Sequence, residues 1–173
     1  MNRAVFLDRD GILNEVVVRW DVVSSPRSLE EFRIIKDAHH LVEIIKERGF
    51  LTLVVTNQPD IGRGLLSVAD LDAMNHQLRN AFSIDDILVA ESGDPADPRR
   101  KPNPTMLLEA AAGHDLDLGH CWFVGDGLKD LDAGRRAGVS TILLETNYNS
   151  HIHGQADRNF RSLSDISNFI KTL

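Results

Sequence analysis

Cysteine is almost absent from this chain. Cys121 is the only one in 173 residues, so no internal disulfide forms and a cysteine-rich zinc site is excluded. Long apolar runs are missing as well, and none approaches the length that crosses a membrane. Only Ala4-Val5-Phe6-Leu7 separates Arg3 from Asp8, too short for a signal-peptide core. The expectation is a cytoplasmic protein without membrane attachment. Internal repeats and low-complexity tracts are lacking too. Positive charge is in deficit: 19 Lys+Arg against 26 Asp+Glu leave a net charge of −7. That balance argues against a broad nucleic-acid or anionic-membrane surface. The seven histidines show no zinc-protease or zinc-finger spacing, and His151-x-His153 reads as loop.

What is present suits one compact domain spanning residues 1–173. Hydrophobic residues make up 42%, enough for a core, and charged residues 26%. Short apolar runs alternate with helical patterns, which predicts an α/β fold with a mostly parallel sheet. Strands are expected at Ala4–Leu7, Leu51–Val55, Ile87–Val89, Cys121–Val124 and Thr141–Leu144. Helices are expected after Asp37, closed by Gly49; after Ser67, with Leu71, Met74 and Leu78 on one face; after Asn103-Pro104, stopped by Gly113; up to Ala137, with Gly138 beyond; and from about Asp165 to Ile170.

The polar residues fall at informative places. Asp8, Thr56 and Asp126 each follow an apolar strand directly, and in a parallel α/β sheet the ligand crevice lies at the carboxyl ends of the strands. Phosphate-ester hydrolysis needs a nucleophile, a proton for the leaving oxygen and positive charge on the non-bridging oxygens. Asp8 and Asp10 can divide the first two roles between them. Asp126 adds an oxygen ligand for Mg²⁺. Thr56 and Asn57 offer a hydroxyl and an amide to phosphate oxygens, and Arg100-Lys101 supplies fixed positive charge. Arg63, between two glycines, is placed to reach a second anionic group. Each feature alone has a plain structural reading as a turn, a helix cap or a surface charge. Trp20 reads equally as a substrate platform or a loop anchor.

Asp8-Arg9-Asp10-Gly11, Thr56, Lys101 and Gly125-Asp126-Gly127-Leu128-Lys129-Asp130 occur in the order of the four motifs of the haloacid dehalogenase (HAD) phosphatases, and the chain resembles that superfamily over most of its length. Thr56-Asn57-Gln58, Ile61-Gly62-Arg63-Gly64 and Arg100-Lys101-Pro102 are similar to the heptose-bisphosphate and histidinol-phosphate phosphatase branch. The resemblance implies a HAD-like Rossmannoid three-layer α/β/α sandwich. It implies an Mg²⁺-dependent phosphomonoesterase that forms a phospho-aspartate on Asp8, with Asp10 as general acid/base. It implies Mg²⁺ held by the Asp8 carboxylate, the Asp10 carbonyl and Asp126, with Asp130 supporting the metal shell or Lys101. Thr56 and Lys101 would bind the phosphoryl group, while Asn57, Gln58, Arg63 and Arg100 would face substrate.

Many members of that branch carry a Cys/His zinc loop before the Arg-Lys pair. Here Val89 to Arg99 contains neither residue type, so no zinc is expected. The short intervals between motifs leave little room for a cap domain, and an open site is expected, with loops Glu15–Arg33 and Glu91–Arg99 conferring specificity. The favoured substrate is a small sugar phosphate such as D-glycero-D-manno-heptose 1,7-bisphosphate, acted on by a monomer or small homo-oligomer. Histidinol phosphate, a polynucleotide 3′-phosphate end and a non-catalytic phospho-ligand module are the alternatives.

Overall fold

Every residue of Ala4-Val5-Phe6-Leu7 is apolar, as a strand covered on both faces requires. In the computed structural model, which describes all 173 residues, this run is the wholly buried strand β1 (Ala4–Leu7). A short hairpin follows, β2 (Val17–Arg19) and β3 (Val22–Ser24), then α1 (Ala38–Glu47), β4 (Leu51–Asn57), a one-turn α2 (Pro59–Gly62), α3 (Val68–Ala81) and β5 (Asp86–Ala90). The second half holds α4 (Thr105–His114), β6 (Trp122–Gly125), α5 (Leu128–Ala137), β7 (Ser140–Leu144), β8 (Arg158–Phe160) and α6 (Leu163–Ile170).

Six strands form one sheet in the order β5-β4-β1-β6-β7-β8, with every pairing parallel. Alternate residues of β1 serve opposite faces, as strand geometry dictates. Val5 and Leu7 pack with Leu41, Ile45, Leu71, Met74 and Ile166 from α1, α3 and α6. Ala4 and Phe6 pack with Met106, Leu107 and Ala133 from α4 and α5. Phe6 meets Phe123 edge-on at 6.2 Å between ring centroids. The result is the expected three-layer α/β/α sandwich. The interval between β1 and α1 carries only the hairpin, so no cap domain covers the sheet edge.

Several local expectations need correction. Asp37 precedes α1 but makes no side-chain cap, because its own backbone is already helical. Asn103 is not a cap either: α4 begins one residue after Pro104 and runs through Gly113. Asp115, in a left-handed conformation at φ 50°, ends that helix instead. The segment Glu15–Arg33 is partly ordered as the hairpin rather than loop throughout, and β8 carried too little hydrophobicity to stand out. Ser67 does cap α3, its hydroxyl accepting from the Asp70 N–H at 3.0 Å.

Candidate active site

β1 is the strand at which the sheet order reverses, since β4 and β5 lie on one side and β6 to β8 on the other. A crevice opens at such a reversal, beyond the carboxyl ends of the strands. Asp8 follows β1, Thr56 ends the buried part of β4, and Asp126 follows β6. Parallel pairing of Leu7 with both Val54 and Val124 puts all three at the same edge.

Asp8 is gripped through one oxygen. Its Oδ1 accepts from the Arg9 N–H at 2.7 Å and from Lys101 Nζ at 2.8 Å. Oδ2 accepts no hydrogen bond, and Asp8 lines the crevice. Lys101 is almost fully buried; it donates to Asp8 and to the Val55 carbonyl, both at 2.8 Å, and is ion-paired with Asp130 Oδ1 at 2.7 Å. Burial works against its charge, yet Asp130 and Asp8 outweigh that and push its pKa up. Asp130 is 3% exposed, and its second oxygen accepts from the Gly127 N–H at 3.0 Å. A Cβ on Gly125 would stand 2.5 Å from Asp130 Cβ, so a glycine there is what lets Asp130 close on Lys101.

Asp10 sits in a cradle of donors. Its Oδ1 accepts from Arg9 at 3.0 Å and Asn14 Nδ2 at 2.8 Å, and its Oδ2 from Gln58 Nε2 at 2.7 Å and Ser25 Oγ at 2.9 Å. Burial alone would raise its pKa, but the Arg9 guanidinium and these hydrogen bonds reverse the sign and hold the carboxyl below its usual range. Arg9 is fully buried and lies over the Phe32 ring at 5.8 Å.

Asp126 has no ion pair. Its Oδ2 accepts from the Tyr148 hydroxyl at 2.5 Å, and its carbonyl accepts from Asn149 Nδ2 at 2.8 Å. Burial, reinforced by Asp130, pushes the Asp126 carboxyl up to about 7. Burial and the same neighbours raise Asp8 well above the carboxylate range, against the pull of Lys101. Three carboxylates thus cluster where a single ammonium pairs with only two of them, Asp8 and Asp130.

Oxygens of Asp8, Asp126 and Asp130 lie within 4.8 Å of one another. A set of hard oxygen donors with surplus negative charge suits Mg²⁺. The Asp10 carbonyl accepts no hydrogen bond from the chain, leaving a fourth oxygen free. The space before Asp126 is kept open by Gly11, where a Cβ would stand 2.1 Å from Asp126 Oδ2 and whose φ of +87° itself favours glycine. The donor set fits the ion.

A cleft of about 500 Å³ gathers Asp8, Asp10, Asn57, Gln58, Arg63, Arg100, Lys101, Asp126 and Asp130 along its walls. Thr56 lies beneath them, 1% exposed, its hydroxyl accepting from Gln58 Nε2 at 2.9 Å. Two side chains expected to meet substrate are already engaged. Asn57 brackets the Lys101 main chain, accepting from its N–H at 2.9 Å and donating to its carbonyl at 3.0 Å. Gln58 holds Asp10. Both still line the cleft, but their hydrogen bonds position the machinery.

One wall is cationic. Arg27 Nε and Arg63 converge on Asp60, at 2.7 and 3.1 Å. Arg100, 6% exposed, has no carboxylate partner, and its guanidinium donates only to the Gly93 carbonyl at 3.2 Å. Sequence reasoning missed Arg9, Ser25, Arg27, Asp60 and Tyr148. Arg9 alone had a signal, its place between the two aspartates; the others come from segments that only the fold brings to the cleft. The Glu91–Arg99 loop is held by its own turns, with Asp94 accepting from the Ala96 N–H and Asp97 from the Arg99 N–H. Trp20, 96% exposed, anchors nothing.

Comparison with known proteins finds phosphatases. A family model described as HAD-hydrolase-like matches residues 98–165. The D-glycero-D-manno-heptose-1,7-bisphosphate 7-phosphatase of Chlorobaculum tepidum is 35% identical, the match covering 85% of this chain and 80% of the relative. The D-glycero-alpha-D-manno-heptose-1,7-bisphosphate 7-phosphatase of Burkholderia mallei is 37% identical over 83% of this chain and 79% of its own. The crystal structure of D,D-heptose 1,7-bisphosphate phosphatase from B. bronchiseptica, complexed with magnesium and phosphate, superposes with a TM-score of 0.83 at 25% identity and 99% coverage of both chains.

Proposed function

The chain belongs to the HAD-like phosphatases, and from that premise we propose that it cleaves a sugar phosphate by way of a phospho-aspartate on Asp8, with Mg²⁺ as cofactor. The observation that carries this reading is the asymmetric grip on Asp8: Oδ1 is tied to Lys101 and the Arg9 N–H, which leaves Oδ2 free to attack phosphorus.

Asp8, the Asp10 carbonyl and Asp126 would hold Mg²⁺, with Asp130 supporting them through Lys101. When bound, the ion supplies positive charge against the non-bridging oxygens and the attacking carboxylate. Lys101 keeps Asp8 aimed and adds a fixed charge beneath the phosphoryl group. Asp10, ionised in its cradle, is in the state that takes a proton from the water that hydrolyses the phospho-aspartate. The proton it takes from that water is the one it gives to the leaving oxygen in the first half of the next turnover, so the cycle balances. Ser25 and Gln58 hold it in position. Thr56 acts through Gln58 from below.

The cationic wall favours a second anionic group on the substrate. Arg27, Arg63 and Arg100 outnumber Asp60, and a buried unpaired guanidinium is costly until an anion meets it. A sugar bisphosphate satisfies this wall, whereas histidinol phosphate would bring an ammonium towards it. The acidic balance of the chain, with no basic stripe, counts against nucleic-acid ends.

Phosphate release is the test, measured with Mg²⁺ and with EDTA on an aryl phosphate and on a panel of sugar mono- and bisphosphates. Wild type is expected to turn over both kinds, with higher kcat/KM on bisphosphates, and Asp8→Asn is expected to lose at least about a thousandfold. Equal activity of the two proteins would remove Asp8 as nucleophile. Full activity in EDTA would remove the metal.

A further inference from the structure

We propose that Tyr148 is a positioning residue for the candidate Mg²⁺ site, fixing Asp126 Oδ2 through its hydroxyl so that the other carboxylate oxygen faces the cation. The inference rests on the metal-dependent reading above and adds to it a residue outside all four motifs.

Tyr148 is the only tyrosine of the chain. It lies in a short 3₁₀ stretch, Asn147–Ile152, that follows β7 and is kinked at Asn149. This stretch is strapped to the sheet edge independently of the tyrosine. Asn149 Nδ2 donates to the carbonyls of Asp126 and Leu144 at 2.8 and 2.9 Å. Asn149 Oδ1 accepts from the Thr146 N–H at 2.8 Å, with His153 Nε2 at 2.9 Å. The strap therefore holds the main chain of residue 126 through Asn149 and its carboxylate through Tyr148.

Asp126 has need of that second hold. Asp8 and Asp130 each share Lys101, while Asp126 has no cationic partner. The Tyr148 hydroxyl, at 2.5 Å, is the only donor to its side chain. A carboxylate facing two others and held by nothing would rotate away from them, out of the arrangement that a cation needs. The turn at Gly11 meets the same point, since a Cβ there would lie 3.0 Å from Tyr148 Oη. Gly11, Asp126 and Tyr148 converge on one small space. Partners of metal ligands set ligand orientation in this way, and their loss typically weakens metal binding about 10- to 100-fold.

The test is Mg²⁺ binding to the substrate-free, full-length protein, read by calorimetry and by the Mg²⁺-induced rise in Tm. Wild type is compared with Tyr148→Phe, with Asp126→Asn as the protein lacking the ligand and Asn149→Ala as the protein with a loosened strap. Tyr148→Phe is expected to weaken binding about tenfold and to raise the Mg²⁺ half-saturation of phosphatase activity equally, while its Tm in EDTA stays at the wild-type value. Asn149→Ala is expected to lower Tm in EDTA. Unchanged or tighter binding by Tyr148→Phe overturns the inference alone, tighter binding marking the hydroxyl as a competitor of the ion. A fall in its EDTA Tm matching that of Asn149→Ala overturns it as well, in favour of a merely structural role. Absence of Mg²⁺ binding by wild type overturns both this inference and the metal-dependent reading.

Discussion

Gly11 shows how one residue governs a site it never contacts chemically. Its left-handed φ turns the chain after Asp10, and its missing Cβ leaves room for the Asp126 carboxylate. Gly11→Ala would press a methyl group into Asp126 Oδ2 and strain the backbone together. The expected outcome is a loss of about 1–3 kcal/mol in stability and a much larger proportional loss in phosphate release, because the displaced group is a proposed metal ligand. Denaturant melts alongside turnover of an aryl phosphate check this, and an active Gly11→Ala enzyme would show that Asp126 has room to move. Asp10 makes a complementary point. Two aspartates two positions apart look alike in sequence, yet Asp8 is pushed up by burial and neighbouring carboxylates, while Asp10 is held down by Arg9 and three neutral donors. Environment separates their tasks.

Among the elements, the β2–β3 hairpin departs furthest from ordinary packing. Arg19 pairs directly with Val22, so Trp20 and Asp21 form a two-residue turn, and both have positive φ, 52° and 61°. Turns of this kind favour Asn-Gly, and a tryptophan there carries strain. Trp20 is 96% exposed and Val18 and Val22 are 64% and 61% exposed, so no packing offsets the cost. Trp20→Asn is expected to stabilise the protein by a few tenths to about 1 kcal/mol, read as a higher denaturation midpoint at unchanged slope. A lower midpoint would show that the indole makes a packing contact after all. The hairpin also touches chemistry, because the residue after β3, Ser25, donates to Asp10.

Across the whole molecule, the sheet edge concentrates charge that the fold cannot balance alone. Asp126, raised to about 7, and Asp8, raised with it, bind protons more tightly in the folded than in the unfolded chain. Their contribution to stability is therefore present below about pH 4 and is lost as pH rises through about 7. In EDTA, Tm is expected to fall between about pH 4 and 7. Mg²⁺ replaces those protons, so its affinity and the Tm rise it induces are expected to grow over the same interval, with protons released on binding. Calorimetry in buffers of different ionisation enthalpy measures that release. A Mg²⁺ effect independent of pH would show that the carboxylates are already ionised in the metal-free protein.

Much of this was legible in the chain itself. Strands buried on both faces must be apolar throughout, which made β1, β4, β6 and β7 visible, and parallel pairing obliges the residues that follow them to share an edge. That is why Asp8, Thr56 and Asp126 could be grouped from the chain alone, with Lys101 joining them only through the resemblance to the HAD motifs. The weak elements, the hairpin and β8, were hidden because they have little burial to impose a pattern. The tertiary structure alone decided what each polar group does with its hydrogen bonds. It turned Asn57 onto the Lys101 main chain and Gln58 onto Asp10, buried Asp130 beside Lys101, and brought Arg27 to Asp60 and Tyr148 to Asp126 across 33 and 22 positions of chain. Sequence order carries the hydrophobic pattern, which is local. The partners of buried charges are chosen by proximity in the folded state, and no local pattern encodes them.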